Sequence, residues 1–138
     1  MFHQKILTTM FVILSIGQKI EDLFLGIIIS IFAFLRFPSL FEPYWYGDEG
    51  VYQIIGIALR EGRTLYSEIW DNKPPILYLI YAVFNGEQFY VRLLSLIVGA
   101  CGVLVFYFLA KKLFKSLYSV FISTAFFAVM FALPVIEG

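Results

Sequence analysis

The sequence predicts an all-α membrane protein with about three transmembrane helices and interfacial helices in a first outer loop. Three observations predict it. Hydrophobic residues make up 61% of the chain and charged residues only 14%, leaving too few polar groups to cover a water-soluble surface. Two runs, Leu93 to Ala110 and Ser116 to Ile136, contain no charged residue. The charges are clustered: six of the ten acids (Glu42, Asp48, Glu49, Glu61, Glu68, Asp71) fall between Glu42 and Pro75, with only three bases, Arg60, Arg63 and Lys73. Ten Lys+Arg balance ten Asp+Glu, so net charge supplies no argument for a nucleic-acid partner, and none is expected. Cys101 is the single cysteine and His3 the single histidine, which excludes a disulfide framework and a Cys/His metal cluster. Cys101, inside an apolar run, reads as a small packing residue.

Residues 1–22 form an N-terminal cytoplasmic or interfacial segment, in which Ile6 to Gln18 is apolar but short for a crossing. Its Lys5 start and Ser15-Ile16-Gly17 also fit a cleaved signal loosely. Lys5 and Lys19 before the first span, against Glu42, Asp48 and Glu49 after it, favour an uncleaved cytoplasmic N-terminus. A crossing needs about 20 mostly apolar residues to traverse a hydrocarbon core about 30 Å thick. Residues 23–41 meet that as transmembrane helix 1 if Arg36 snorkels and the helix tolerates, or ends at, Pro38. Residues 93–110 and 116–136 are transmembrane helices 2 and 3. Between them, 111–115 (Lys-Lys-Leu-Phe-Lys) has no acid to offset it and is a cytoplasmic linker. By parity the loop 42–92 then begins and ends outside. Pro74 to Gly86 therefore lies along the outer interface, with a short, tilted fourth crossing as the open alternative.

Tyr44-Trp45-Tyr46 reads as an aromatic belt at headgroup level. After Gly47-Asp48-Glu49-Gly50, residues Val51, Ile54, Ile55, Ala58 and Leu59 recur at helical spacing until Gly62 stops the run, describing a short amphipathic helix resting on the membrane. Asp48 takes its N-cap position. Two readings are open: a capping carboxylate with no chemical duty, or a pair in which one of Asp48 and Glu49 takes a proton from a hydroxyl while the other orients it. Downstream, Trp70-Asp71-Asn72-Lys73-Pro74-Pro75 sets one cation before two prolines that restrict the backbone. Lys73 is either a phosphate partner at headgroup depth or a snorkelling lysine. Arg92 admits the same two readings, and Arg36 anchors its helix.

Taken in order, Asp48-Glu49-Gly50-x-Tyr52, Gly62, Tyr66, Trp70-Asp71-Asn72-Lys73-Pro74-Pro75 and Arg92-Leu93-Leu94 resemble the GT-C glycosyltransferases. The nearest group is the branch of protein O-mannosyltransferases and aminoarabinose transferases that use polyprenyl-phosphate sugars. The resemblance spans roughly Leu23 to Gly138 and implies the family's amino-terminal module. It implies an inverting transfer in which a hydroxyl attacks the anomeric carbon of a sugar carried on a polyprenyl phosphate. Asp48 matches the acidic residue proposed as base, Glu49 is its partner, and Lys73 matches the lysine that contacts the lipid phosphate. Tyr52 and Arg92 are further expected substrate contacts. Asn72 stands where some relatives have an acid.

The partners so implied are membrane lipid, a polyprenyl-phosphate sugar donor and a hydroxyl acceptor of undefined kind, at the plasma membrane with the active loop outside. No cofactor is required, and a divalent metal stays open. Family members run through more helices, so this chain is expected to be an amino-terminal fragment with little transferase activity alone. The competing expectation is a non-catalytic small membrane subunit or truncated product. An ion-conducting subunit ranks last, because Arg36 is the only ionisable residue within the expected spans.

Overall fold

A computed structural model describes residues 2–43 and 47–133, with side chains from Ser15 onward. Its regular elements among the described residues are helices: α1 (Phe2–Arg36), a 3₁₀ turn (Phe37–Leu40), α2 (Gly47–Arg60), α3 (Pro75–Val83), α4 (Gln88–Leu113) and α5 (Leu117–Ala132). Two stretches, Ser15–Leu40 and Gln88–Leu113, are long and apolar enough to cross a membrane, and only 17% and 22% of their apolar windows are buried. That small burial distinguishes them from the core helices of a water-soluble domain, whose apolar residues pack inward. The Tyr44-Trp45-Tyr46 belt and the end of the third expected span lie outside the described residues.

Several boundaries differ from expectation, each for a local reason. Residues 2–22 are helical and continuous with the first expected span, because α1 runs unbroken from Phe2 through the polar stretch Gln18 to Asp22. These residues are tolerated in helices, and the Gln18 side-chain amide donates to Asp22 Oδ1 one turn on, at 3.0 Å. The Ser15-Ile16-Gly17 signal-like triplet therefore lies inside a helix. At the other end the α-helix stops at Arg36, and Pro38 opens the 3₁₀ turn, where its missing N–H costs nothing. α4 begins at Gln88 rather than 93, and it carries Lys111 and Lys112 in its last turn, where cations complement the helix dipole. α5 has 16 residues.

The chain divides into two compact units, residues 1–35 with 99–138, and residues 36–98. In the first, Ile28 and Phe32 of α1, Val103 of α4, and Ala128 and Ala132 of α5 form one buried cluster. Small residues let these helices approach. A Cβ on Gly99 would lie 2.6 Å from Phe32 Cζ. A second cluster joins Tyr107, Ala110 and Val120. Glu21 Oε2 accepts hydrogen bonds from Lys111 Nζ at 2.6 Å and the Tyr107 hydroxyl at 2.9 Å. This interhelical polar contact was not expected, because Glu21 was assigned to a separate segment. Cys101 lies on the exposed side of α4, not in the packing, since the buried face of that helix is taken by Gly99, Val103, Tyr107 and Ala110.

The second unit is built on α2 packed against α3. At 14 and 9 residues these helices rise only about 21 and 14 Å, short of the roughly 30 Å of hydrocarbon. α2 ends in a Schellman motif: Arg63 N–H bonds Ala58 O, Gly62 N–H bonds Leu59 O, and Gly62 has φ +90°. α3 ends likewise, with Asn85 at φ +54° and Gly86 N–H bonding Tyr81 O at 2.8 Å. Between the two ends, Gly56 meets α3 so closely that a Cβ there would lie 2.6 Å from Tyr81 Cβ and 2.9 Å from Ala82 N.

Because backbone atoms of α3 block that position, Gly56→Val should destabilise the unit by about 1–3 kcal/mol or more. Gly50→Ala should be neutral, since nothing lies within 4 Å of its Cβ direction. Thermal unfolding and protease cleavage between residues 61 and 74 check this. Equal behaviour of the two variants would contradict the close α2–α3 crossing.

Candidate functional site

The unit of residues 36–98 contains all five residues singled out from the sequence, and it arranges them in two groups. α2 begins at Gly47, so Asp48 lies in its first turn rather than at the N-cap. Acidic groups there face the partly positive helix end. Adjacent residues of a helix do not face each other, and Asp48 and Glu49 accordingly turn to different partners.

Glu49 belongs to the first group. Its Oε2 receives Arg92 Nη2 at 2.7 Å and the side-chain amide of Gln88. Arg92 also donates from Nη1 to Ser39 O at 2.8 Å and Glu42 O at 2.5 Å, and from Nη2 to Pro43 O at 3.5 Å. Its side chain is only 12% exposed. A planar guanidinium with five N–H donors suits this multiple engagement. Arg92 is thus a clasp joining the end of the 3₁₀ turn, the approach to α2, and α4. Both of its terminal nitrogens are engaged with protein oxygens.

Asp48 heads the second group. Its Oδ2 accepts the Tyr52 hydroxyl at 3.1 Å, one turn along α2, while Oδ1 takes no hydrogen bond among the described residues. The Tyr52 ring packs edge-on against Tyr78 and Tyr81 of α3, with centroids 5.9 and 6.0 Å away. Tyr78 is completely buried. Its hydroxyl donates to Asp71 Oδ2 at 2.7 Å and accepts the Lys73 N–H at 3.1 Å. Burial, with the Asp71 hydrogen bond adding to it, pushes the Tyr78 phenol up to about 12, so it holds its proton and acts as the donor. Asp71 Oδ1 accepts the Asn72 N–H at 2.7 Å, so both carboxylate oxygens are engaged locally.

The connecting segment 62–74 is tied to itself. Glu68 Oε2 accepts the Thr64 N–H at 2.6 Å, and Glu68 N–H returns to Thr64 O. Tyr66 has φ +67°, a conformation that costs a bulky residue on the order of 1–3 kcal/mol. It is held there by Tyr66 N–H to Ile69 O at 2.6 Å and by its hydroxyl to Lys73 O at 2.7 Å. Lys73 is half-buried and makes no ion pair among the described residues. No group of three or more His, Cys, Asp or Glu placed to hold a metal is present among the described residues.

Sequence reasoning missed Tyr78 and Gln88. A signal for Tyr78 existed: in Pro-Ile-Leu-Tyr-Leu-Ile-Tyr-Ala-Val, two tyrosines interrupt an otherwise apolar helix, and a buried tyrosine hydroxyl requires a partner. Gln88 carried no comparable signal, since its partner lies 39 residues away.

A tyrosine whose folded pKa exceeds its ordinary value of 10.0 stabilises the fold throughout the pH range below that value. The contribution is lost as pH rises from about 10 toward about 12. Tyrosinate absorbance should therefore show a late-titrating fraction among the nine tyrosines, and Tyr78→Phe should lower its amplitude by one group. An unchanged late amplitude in Tyr78→Phe would contradict the assignment.

No protein-family model matches the chain, and no curated protein or solved structure is significantly similar to it. The functional reading therefore rests on the sequence motif and on the geometry of residues 36–98.

Proposed function

We propose that the chain is an integral membrane protein in which α1, α4 and α5 cross the bilayer and residues 41–87 form an outer segment. We propose further that this segment serves sugar transfer from a polyprenyl phosphate to a hydroxyl, as in the GT-C glycosyltransferases that the motif resembles. Membrane embedding is supported by the two long, largely unburied apolar helices and by exposed apolar side chains such as Phe34, Val105 and Ile122, each more than two-thirds exposed. An outer interfacial position for α2 and α3 is supported by their shortness. Lys111 and Lys112 in the last turn of α4 and Lys115 just after it support a cytoplasmic link to α5.

The observation that carries the reading is the contact train Asp48–Tyr52–Tyr78–Asp71, which meets the backbone of Lys73. It connects an acceptor carboxylate to an ion-pair-free cation through side chains that hold both in fixed settings. In the proposed reaction the acceptor hydroxyl attacks the anomeric carbon and the bond from that carbon to the phosphate oxygen breaks. The electron pair leaves with the phosphate, and the hydroxyl proton passes to Asp48. Asp48 Oδ1 is the oxygen for that proton, as Oδ2 already accepts Tyr52. Lys73 stabilises the phosphate anion, a leaving group that needs a cation more than a general acid. Glu49 and Arg92 are positioning residues in this scheme, fixing the first turn of α2 on which Asp48 stands.

Transfer from a labelled polyprenyl-phosphate sugar should be assayed in membranes holding the protein as its natural gene encodes it. Asp48→Asn should abolish transfer with donor binding retained. Lys73→Ala should raise the donor KM about tenfold or more, the equivalent of one charge-assisted hydrogen bond. Absence of transfer by the well-inserted protein would contradict the enzymatic reading and favour a non-catalytic membrane subunit. Orientation is checked by labelling single cysteines at Ser67 and Ser116 in a Cys101→Ser background. Ser67 should react from outside and Ser116 only after permeabilisation, and the reverse pattern would overturn the topology.

A further inference from the structure

We infer that Tyr66 and Tyr78 are positioning residues that make Lys73 a preorganised receptor for a phosphate anion. The inference deepens, and rests on, the donor-phosphate reading given above. What distinguishes Lys73 is how its backbone is held. Its N–H donates to the Tyr78 hydroxyl at 3.1 Å, and its carbonyl accepts the Tyr66 hydroxyl at 2.7 Å. Two tyrosines from opposite sides of the loop thus grip both polar groups of this one residue. The next two residues are Pro74 and Pro75, which fix φ at about −65°.

The grip is itself anchored. Tyr78 is fully buried and bonded to Asp71. Tyr66 is kept at φ +67° with its N–H tied to Ile69, and a strained residue of this kind persists only where its surroundings over-determine it. The nearest acid in sequence, Asp71, does not neutralise the lysine, because one oxygen accepts Tyr78 and the other the Asn72 N–H. Glu68, the next acid back, is occupied by the Thr64 N–H. The ammonium therefore leaves a rigid backbone with no ion pair among the described residues. It also stands just before the N-terminus of α3, whose partial positive charge adds to its own. Fixing the backbone from which the cation extends, before the ligand arrives, removes part of the ordering cost from binding. A flexible lysine on a surface would be tied down by the ligand instead. The chemistry recognised is a phosphate monoester or diester oxygen, from a lipid carrier or from solution.

The test is equilibrium binding to the full chain in nanodiscs of zwitterionic lipid, read by native mass spectrometry. Three probes separate the sources: a polyprenyl phosphate, phosphatidylglycerol and inorganic phosphate. Tyr66→Phe and Tyr78→Phe should each weaken binding of the preferred probe about three- to tenfold, the effect of one hydrogen bond, and Lys73→Met should weaken it more. In a Lys73→Met background, the tyrosine substitutions should change nothing further, which is the signature of acting through the lysine. Tyr66→Phe removes only an exposed hydroxyl, so it keeps the test sound if Tyr78→Phe fails to fold. Loss of binding in Lys73→Met alone, with both tyrosine variants binding as wild type, would overturn the inference and leave the donor reading standing. Equal weakening by the tyrosine substitutions with and without Lys73 would also overturn it, by assigning them a general structural role. No binding of any probe by the wild type would remove the donor reading as well.

Discussion

The Arg92 guanidinium organises the segment on which the functional reading depends. It reaches the carbonyls of Ser39, Glu42 and Pro43 and the carboxylate of Glu49, partners that lie 43 to 53 residues away along the chain. Carbonyls leaving the 3₁₀ turn have no helical donors, and they would be costly to leave unpaired next to apolar surroundings. One arginine satisfies three of them and at the same time pins the first turn of α2. The height and direction of Asp48 follow from that, because Asp48 precedes Glu49 on the same turn. Removing the arginine would leave a half-buried Glu49 without its cation, which costs more than the ion pair itself contributes.

The second constraint is the close crossing at Gly56. It brings Tyr78 and Tyr81 against Tyr52, and it is the reason a polar train can run from α2 into the loop before α3. Buried tyrosines suit this position, since each supplies a large apolar body and one polar handle. No buried side-chain nitrogen or oxygen lacks a hydrogen bond among the described residues. The Lys73 ammonium has no ion pair and one oxygen of Asp48 no hydrogen bond among the described residues, which is why the proposed reaction is placed on these two groups.

Much of this architecture was legible in the sequence wherever the controlling physics is local. The apolar runs gave α4 and α5, the helical spacing from Val51 to Leu59 gave α2, and Gly62 marked its end because a Schellman cap needs a left-handed residue. Proline pairs marked the start of α3. What failed depended on partners distant in the chain or on cumulative propensity. Arg92 read as a free cation because its carbonyl partners carry no sequence signature. For Asp48 and Glu49 the sequence leaves a capping carboxylate and a functional pair both open, and neither reading anticipates the Glu49 contacts to Arg92 and Gln88, whose partners lie far along the chain. The polar stretch Gln18 to Asp22 reads as a boundary before the first span, whereas the helix continues through it with one i,i+4 hydrogen bond and the Glu21 contacts to Lys111 and Tyr107.

The proposed binding of a lipid-borne phosphate at Lys73, in the loop before α3, can be probed by photocrosslinking with a polyprenyl phosphate that carries the photoreactive group beside the phosphate, followed by mapping of the modified residues in the intact protein. Adducts should concentrate between residues 66 and 78 and be competed away by unlabelled polyprenyl phosphate. Adducts spread along the exposed faces of α1, α4 and α5, with none in that loop, would contradict it.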